Sequence, residues 1–160
     1  MLKKNDSNQV LFIDWGTTNF RAYKFDILNK KFTKKIEKNK GILNLKTKSE
    51  YIKILKIILL EFNFKQTPFI LMSGMVGSKN GLFEAEYVSI PSTIKKIANQ
   101  VTSKKISGIN INIVPGISFK KNNMYDVLRG EETIAIGAIQ KFKIKKRFYL
   151  CCPGTHSKWI

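Results

Sequence analysis

The order in which apolar runs fall along this chain constrains its fold more than any other feature. Three strand-like runs follow one another near the amino end with no helical pattern between them, and after them helix and strand alternate. Residues 9–14 form a short apolar run ending in Asp-Trp-Gly-Thr-Thr, and residues 20–25 read as a second strand. Gly16 with Thr17 and Thr18 supplies hairpin-turn chemistry between them. A third strand over residues 31–37 is polar enough to predict a sheet edge, and residues 41–45 are a connection. Ser49 and Glu50 then open a helix whose apolar positions are Tyr51, Ile52, Ile54, Leu55, Ile58, Leu59 and Phe62. Residues 68–72 are a buried strand and 73–81 a glycine-bearing loop. A second helix follows Pro91, with Ser92 as N-cap and Ile94, Ile97, Ala98 and Val101 on one face. Residues 109–114 make a strand, and a long loop runs from there to Gly130. Glu131–Phe142 is apolar nearly all round and predicts a buried helix, and residues 147–152 are a last strand. The order is β-β-β-α-β-α-β-α, then one more strand.

With no internal repeat or linker, the 160 residues read as one continuous domain of ordinary size. The longest apolar runs are too short to cross a membrane as a helix, and Val10-Leu11-Phe12-Ile13 after Lys3-Lys4 is too short for a signal-peptide core. The two cysteines, Cys151 and Cys152, are adjacent, which excludes an ordinary disulfide framework and makes a reduced, cytoplasmic chain the expectation. A net charge of +18 first points to nucleic acid, but 26 of the 29 basic residues are Lys. Only Arg21, Arg129 and Arg147 offer the bidentate geometry that base and phosphate recognition favours. Lys, Ile and Asn together make 61 of the 160 residues, all with A/T-rich codons, so coding bias accounts for the excess. No specific nucleic-acid partner is expected.

Four segments carry chemistry. In the first, Asp14 ends a strand, where a carboxylate can hold hard Mg²⁺ directly or through water. Gly16, Thr17 and Thr18 after it can bring backbone and hydroxyl donors to a polyphosphate; the plain alternative is a hairpin. In the second, Ser73, Gly74 and Met75 follow a buried strand and suit a pocket wall with exposed backbone donors for a sugar carboxylate or hydroxyls. Glu84, Glu86 and Tyr87 lie just beyond and can supply hydroxyl contacts, though a solvated loop face is the better reading for at least two of them. In the third, Asp126 is the expected base that accepts a proton from an attacking hydroxyl, with Glu131 as the alternative, and Arg129 can pair with an acid or bind a substrate carboxylate. The alternative for Glu131 and Glu132 is simple stabilisation of a helix dipole. In the fourth, Gly154, Thr155 and Ser157 form a second turn with donors for phosphate. His156 is the only histidine, so a Cys/His metal cluster is not expected.

The run of three strands followed by alternating helix and strand resembles the ribonuclease-H-like unit of the actin, Hsp70 and sugar-kinase superfamily. Five motifs in order make the resemblance specific: Asp-Trp-Gly-Thr-Thr-Asn-Phe-Arg-Ala, Met-Ser-Gly-Met-Val-Gly-Ser, Val-Pro-Gly-Ile-Ser, Arg-Gly-Glu-Glu-Thr and Pro-Gly-Thr-His-Ser-Lys-Trp. They resemble those of the 2-dehydro-3-deoxygalactonokinase family from about Val10 to the last residue. The resemblance implies an α/β fold with a mixed five-stranded sheet and helices on both faces. It implies ATP-dependent, Mg²⁺-assisted phosphorylation of the 6-hydroxyl of 2-dehydro-3-deoxy-D-galactonate in galactonate catabolism. It also implies ATP-phosphate contacts from Gly16, Thr17, Thr18, Gly154, Thr155, Ser157 and Lys158, substrate contacts from Arg21, Ser73, Gly74, Met75, Tyr87 and Arg129, and Mg²⁺ at Asp14.

Members of that family are about twice as long and clamp nucleotide between two such domains. Residues 1–146 are therefore expected to be the first kinase domain, and 147–160 the opening strand and phosphate loop of a second. Sugar acid, ATP and the missing domain are the expected partners, and the 160 residues alone are expected to bind substrate weakly with little or no turnover. A non-catalytic sugar-acid or nucleotide-binding module is the alternative; a lysine-rich nucleic-acid binder ranks last.

Overall fold

Leu11, Ile13 and Trp15 are fully buried, whereas Phe12 and Asp14 between them are half-exposed, the two-residue period of a strand with unlike faces. They belong to β1 (Gln9–Trp15) of a computed structural model that describes residues 8–153 and 157–160. β2 (Phe20–Asp26) and β3 (Lys31–Lys38) follow as antiparallel neighbours, and β3 lies at the sheet margin as its polarity predicts. A 3-10 turn at Ile42–Asn44 leads into α1 (Lys48–Glu61) and then β4 (Phe69–Ser73), which pairs parallel to β1. The chain continues through β5 (Tyr87–Ser89), α2 (Ile94–Asn99), β6 (Thr102–Ile106) and β7 (Ile109–Ile113). Last come β8 (Gly116–Lys121), β9 (Met124–Leu128), α3 (Glu131–Phe142), β10 (Cys151–Cys152) and β11 (Lys158–Trp159).

The main sheet is mixed, in the order β3-β2-β1-β4-β7-β6, with β4 and β7 parallel to β1 and the other pairings antiparallel. One face carries Leu11, Ile13, Trp15, Phe20, Ile70, Met72, Ile111 and Ile113. α1 lies against it, contributing Tyr51, Leu55 and Ile58 at helical spacing. The Trp15 ring meets Phe20 edge-on at 4.7 Å and Tyr51 at 5.0 Å. The Trp15 indole N–H donates to the Lys40 carbonyl at 2.9 Å, so the one polar atom of this buried ring is satisfied.

An α/β fold built on mixed sheets is thus present, and several finer expectations need correction. The main sheet has six strands, not five. β6 was hidden because Thr102–Ile106 is polar and mostly exposed; the Ser107-Gly108 turn, both residues at positive φ, folds it back on β7. The long loop before Gly130 is the β8–β9 hairpin, turning at Asn122 with φ +53, and β5 joins it as a third strand. These strands carry Lys120, Lys121 and Asp126 and have no buried period, so nothing local marks them.

α2 is capped by Thr93, not Ser92, and of its expected face only Ile97 is buried. α3 is not buried all round: Glu132 and Ala135 are, while Ile134 and Phe142 are 56% and 68% exposed. α1 starts one turn earlier than its apolar pattern. Thr47 accepts from the Glu50 amide while the Glu50 carboxylate accepts from the Lys46 and Thr47 amides, a reciprocal capping box. Replacing Thr47 with Ala is expected to cost about 1 kcal/mol of stability, read from the urea midpoint at unchanged denaturant slope.

Candidate functional site

Parallel pairing of β1 and β4 brings their carboxyl ends to one edge, with Asp14 directly beside Ser73. Ligand sites in such sheets collect beyond the carboxyl ends of the strands. Directly after Ser73 the chain turns at Gly74, whose φ of +92 favours glycine. A Cβ there would stand 2.8 Å from the Trp15 carbonyl oxygen and 3.3 Å from Asp14 Oδ1, so only a residue without one lets the loop close onto β1. Gly130, φ +113, sits in turn against Gly74, a Cβ on it falling 3.3 Å from the Gly74 Cα. Three segments distant in sequence therefore meet: the end of β1, the loop after β4 and the start of α3. Beside them a groove of about 430 Å³ runs over the sheet face opposite α1, lined by Asp14, Ser73, Thr133, Phe12, Leu71 and Val114, among others.

Asp14 lies in a row of charges made by strand register, since Asp14 pairs with Arg21 and Arg21 with Glu37 across three strands. Arg21 Nη1 donates to Asp14 Oδ2 at 3.0 Å, and Arg21 Nε donates to Glu37 Oε1 at 2.7 Å. Lys35 reaches the other Glu37 oxygen at 2.9 Å. The Lys35 ammonium first, then Arg21, holds the Glu37 carboxyl below the usual range. Among the described residues no three His, Cys, Asp or Glu side chains cluster as metal ligands. A lone carboxylate such as Asp14 fits Mg²⁺ in its common mode, with water and phosphate oxygens completing the shell.

The turn carrying Gly16, Thr17 and Thr18 is closed by the Gly16 amide on the Asn19 carbonyl at 2.9 Å. Its own carbonyls accept from Gly41, Ile42 and Leu43 at 2.8–3.1 Å, which ties the following connection beneath it. Arg129 is buried, donating from Nη2 to the Ala85 carbonyl at 2.7 Å and from Nε to the Tyr87 hydroxyl at 3.2 Å. Its guanidinium also stacks on the Tyr87 ring at 4.2 Å. Two expected substrate residues 42 positions apart are thereby one unit, clamping the second motif's loop to the start of α3. Arg129 Nη1 has no hydrogen-bond partner among the described residues and lies over Gly77.

Asp126 and Lys158 are brought together as an ion pair, on β9 and β11. The Lys158 hydrogen bond, and then the Val127 amide, hold the Asp126 carboxyl below the usual range. Glu131 accepts from the Arg129 amide at 2.9 Å. Ser157 is exposed; Gly154, Thr155 and His156 lie outside the described residues. One acid that the sequence marks only as a helix-dipole residue stands apart. Glu132 is 1% exposed, accepting from the Gly130 amide at 2.6 Å and from the Thr133 hydroxyl at 3.2 Å. Its position in a run of acids gave no local sign of burial.

These positions match a known family. The family model described as 2-keto-3-deoxy-galactonokinase matches residues 14–160. The chain belongs to that family. The 2-dehydro-3-deoxygalactonokinase of Escherichia coli (strain K12) is 35% identical over 148 residues, covering 92% of this chain and 47% of the relative. A Rhizobium meliloti (strain 1021) protein, DgoK1, assigned the same enzyme name, is 30% identical over 149 residues with the same coverages. A crystal structure of a Sinorhizobium meliloti protein assigned to this enzyme superposes with a TM-score of 0.85 at 28% identity, over 94% of this chain and 48% of that one. The chain spans about half the length of the curated relatives it matches. Among the described residues no helix is long and apolar enough to cross a membrane.

Burial pushes the Glu132 carboxyl above its usual range, against the pull of its own amide, the Gly130 amide and the Thr133 hydroxyl. The fold therefore holds that proton more tightly than the unfolded chain does, and this contribution to stability declines as pH rises from the ordinary glutamate pKa through the raised one. Glu132→Gln, which keeps an acceptor for Gly130, is expected to gain stability relative to the parent as pH rises through that window. Urea midpoints of both proteins across it check this; a constant difference would reject it.

Proposed function

We propose that this chain is the first half of an ATP-dependent sugar-acid kinase that phosphorylates the 6-hydroxyl of 2-dehydro-3-deoxy-D-galactonate in the cytoplasm. The observation that carries the reading is the convergence of Asp14, Gly74 and Gly130 at the carboxyl ends of parallel strands, in a chain whose family is that of the galactonokinases. The sheet order β3-β2-β1-β4-β7 supports a ribonuclease-H-like domain over residues 1–146, with 147–160 opening a second one.

In this reading Gly16, Thr17, Thr18, Gly154, Thr155, Ser157 and Lys158 would contact the ATP phosphates, and Asp14 would hold Mg²⁺, directly or through water. The bound ion would neutralise charge on the transferring phosphoryl group. Arg21 is poised to exchange its exposed pairing with Asp14 for an anionic substrate group, because solvent already screens that pair. Ser73, Gly74 and Met75 form the wall against which the sugar acid lies. Arg129 and Tyr87 hold that wall in place, with Arg129 Nη1 as the donor left over. Transfer of this kind depends on positioning more than on a strong base. Of the two candidate bases, Glu131 is favoured over Asp126. It follows Gly130, which touches Gly74, whereas Asp126 is kept charged by Lys158. Because the chain spans 47% of its curated relatives, a binding module without turnover describes the 160 residues by themselves.

Titration calorimetry of this chain with 2-dehydro-3-deoxy-D-galactonate is expected to show saturable binding, while a coupled ADP-release assay stays at the ATP-only blank. No sugar-acid binding would refute the reading, and ordinary turnover would refute the half-site. In the full-length E. coli relative, Ala in place of the aspartate matching Asp14 is expected to cut turnover by at least about a hundredfold. Sugar-acid affinity should change little, and unchanged turnover would reject the Mg²⁺ assignment.

A further inference from the structure

On the α1 side of the sheet, away from Asp14, a second groove of about 470 Å³ lies between α1 and the β6–β7 turn. Its floor is apolar: Ile52 is buried, Ile57 is 40% exposed and Leu60 79% exposed, while Ile106 lines the facing wall at the end of β6. Lys48, Lys53 and Lys56 stand along the α1 side, all of them exposed. The Lys48 ammonium lies over the Phe83 ring at 4.8 Å, which orients the head of the row. Helical rise sets Lys56 about 12 Å and Leu60 about 18 Å from Lys48 along the axis, so the groove is elongated. None of the three lysines pairs with an acid among the described residues. The two acids of α1 are engaged elsewhere: Glu50 accepts the Lys46 and Thr47 amides in the capping box, and Glu61 pairs with Lys38. Coding bias accounts for a surplus of lysine, but not for an exposed apolar strip lying beside lysines that no acid of the chain neutralises.

Charge and shape choose the occupant. A second copy of this chain would bring another +18 of charge against the first, and such self-association is opposed over the whole approach. A single anionic headgroup would engage one lysine of the row, and a flat bilayer surface would not reach Ile52 on the floor. A nucleic-acid backbone would leave the apolar floor without a partner. Acids one turn apart on a helix, flanking an apolar stripe, match both the row and the floor. We propose that the groove between α1 and the β6–β7 turn docks an acidic amphipathic helix of another protein. Its apolar stripe lies on Ile52, Ile57, Leu60 and Ile106, and its Asp or Glu side chains meet Lys48, Lys53 and Lys56. The lysines steer the encounter and set the register, while covering Ile57 and Leu60 supplies affinity. This groove shares no lining residue with the one at Asp14, so docking here is independent of the kinase activity.

The probe is a fluorescein-labelled peptide of about 18 residues, long enough to form a helix, with Leu at helical spacing and Glu on both flanks of the stripe. It is titrated with the 160-residue chain and followed by anisotropy. Saturable one-to-one binding that weakens as salt rises is expected. Lys53→Glu combined with Lys56→Glu should weaken it by at least about tenfold, and Leu60→Ser by at least about threefold. Lys120→Glu combined with Lys121→Glu makes the same change of charge on the β8–β9 hairpin and should alter binding by less than about twofold. Lys53→Ala combined with Lys56→Ala, with circular dichroism of every variant, separates lost docking from lost folding: the folded Ala variant should also bind more weakly than the parent. Absence of saturable binding overturns the proposal, as does an equal loss at both lysine pairs, which would reduce the effect to net charge. Leu60→Ser or the folded Ala variant binding as tightly as the parent also overturns it. Poly-glutamate, which has no apolar stripe, or phosphatidylglycerol vesicles binding this groove more tightly than the peptide would overturn it in favour of a polyanion or a membrane.

Discussion

The in-register parallel pairing of β1 with β4 is the constraint on which both the core and the site depend. It sets Ile13 beside Met72 inside and Asp14 beside Ser73 outside. A slip of one residue would turn Asp14 under α1 and expose Leu11, Ile13 and Trp15, because strand side chains alternate. Burial of Trp15 and Leu11 therefore holds Asp14 at the sheet edge as firmly as any contact Asp14 makes itself. The close approach of Gly74 to the Trp15 carbonyl, and of Gly130 to Gly74, follows from the same edge being shared.

In so basic a chain five acids near the site are engaged, in two different ways. Asp14, Glu37 and Asp126 pair with Arg21, Lys35 and Lys158 at exposed positions, where such pairs contribute little stability and mainly orient side chains. Glu131 and Glu132 instead accept backbone amides at the start of α3, and Glu132 does so in the interior. The exposed pairs can open for a ligand at low cost. The buried contacts of Glu132 and Arg129 cannot, which makes them part of the frame that holds the wall of the site.

Strands β1, β2, β4 and β7 and helix α1 were legible because each buries apolar side chains at a regular period, whereas β3 buries none and was legible only as a polar edge strand. The glycine-bearing motifs were legible because a backbone that must approach another closely leaves its mark in residue type. β5, β6, β8 and β9 left no such mark. β6 and β8 are rich in Lys, Ser or Thr, β5 is three residues long and β9 (Met-Tyr-Asp-Val-Leu) buries no side chain, so all four are held mainly by pairing with strands elsewhere in the fold. The exposure of Ile134 and Phe142 was hidden for the converse reason, since an apolar sequence does not say whether anything covers it.

By itself, the sequence determined the family and the class of fold, and it singled out the segments proposed to carry chemistry, since these depend on local period and residue type. Tertiary structure alone decided which of those segments meet. It joined Arg129 to Tyr87 across 42 positions, buried Glu132 while leaving Glu131 half-exposed, paired Asp126 with Lys158 and left one aromatic face of the sheet open. Each of these is a contact or an exposure between residues far apart in the chain, and only the path of the backbone through space specifies it.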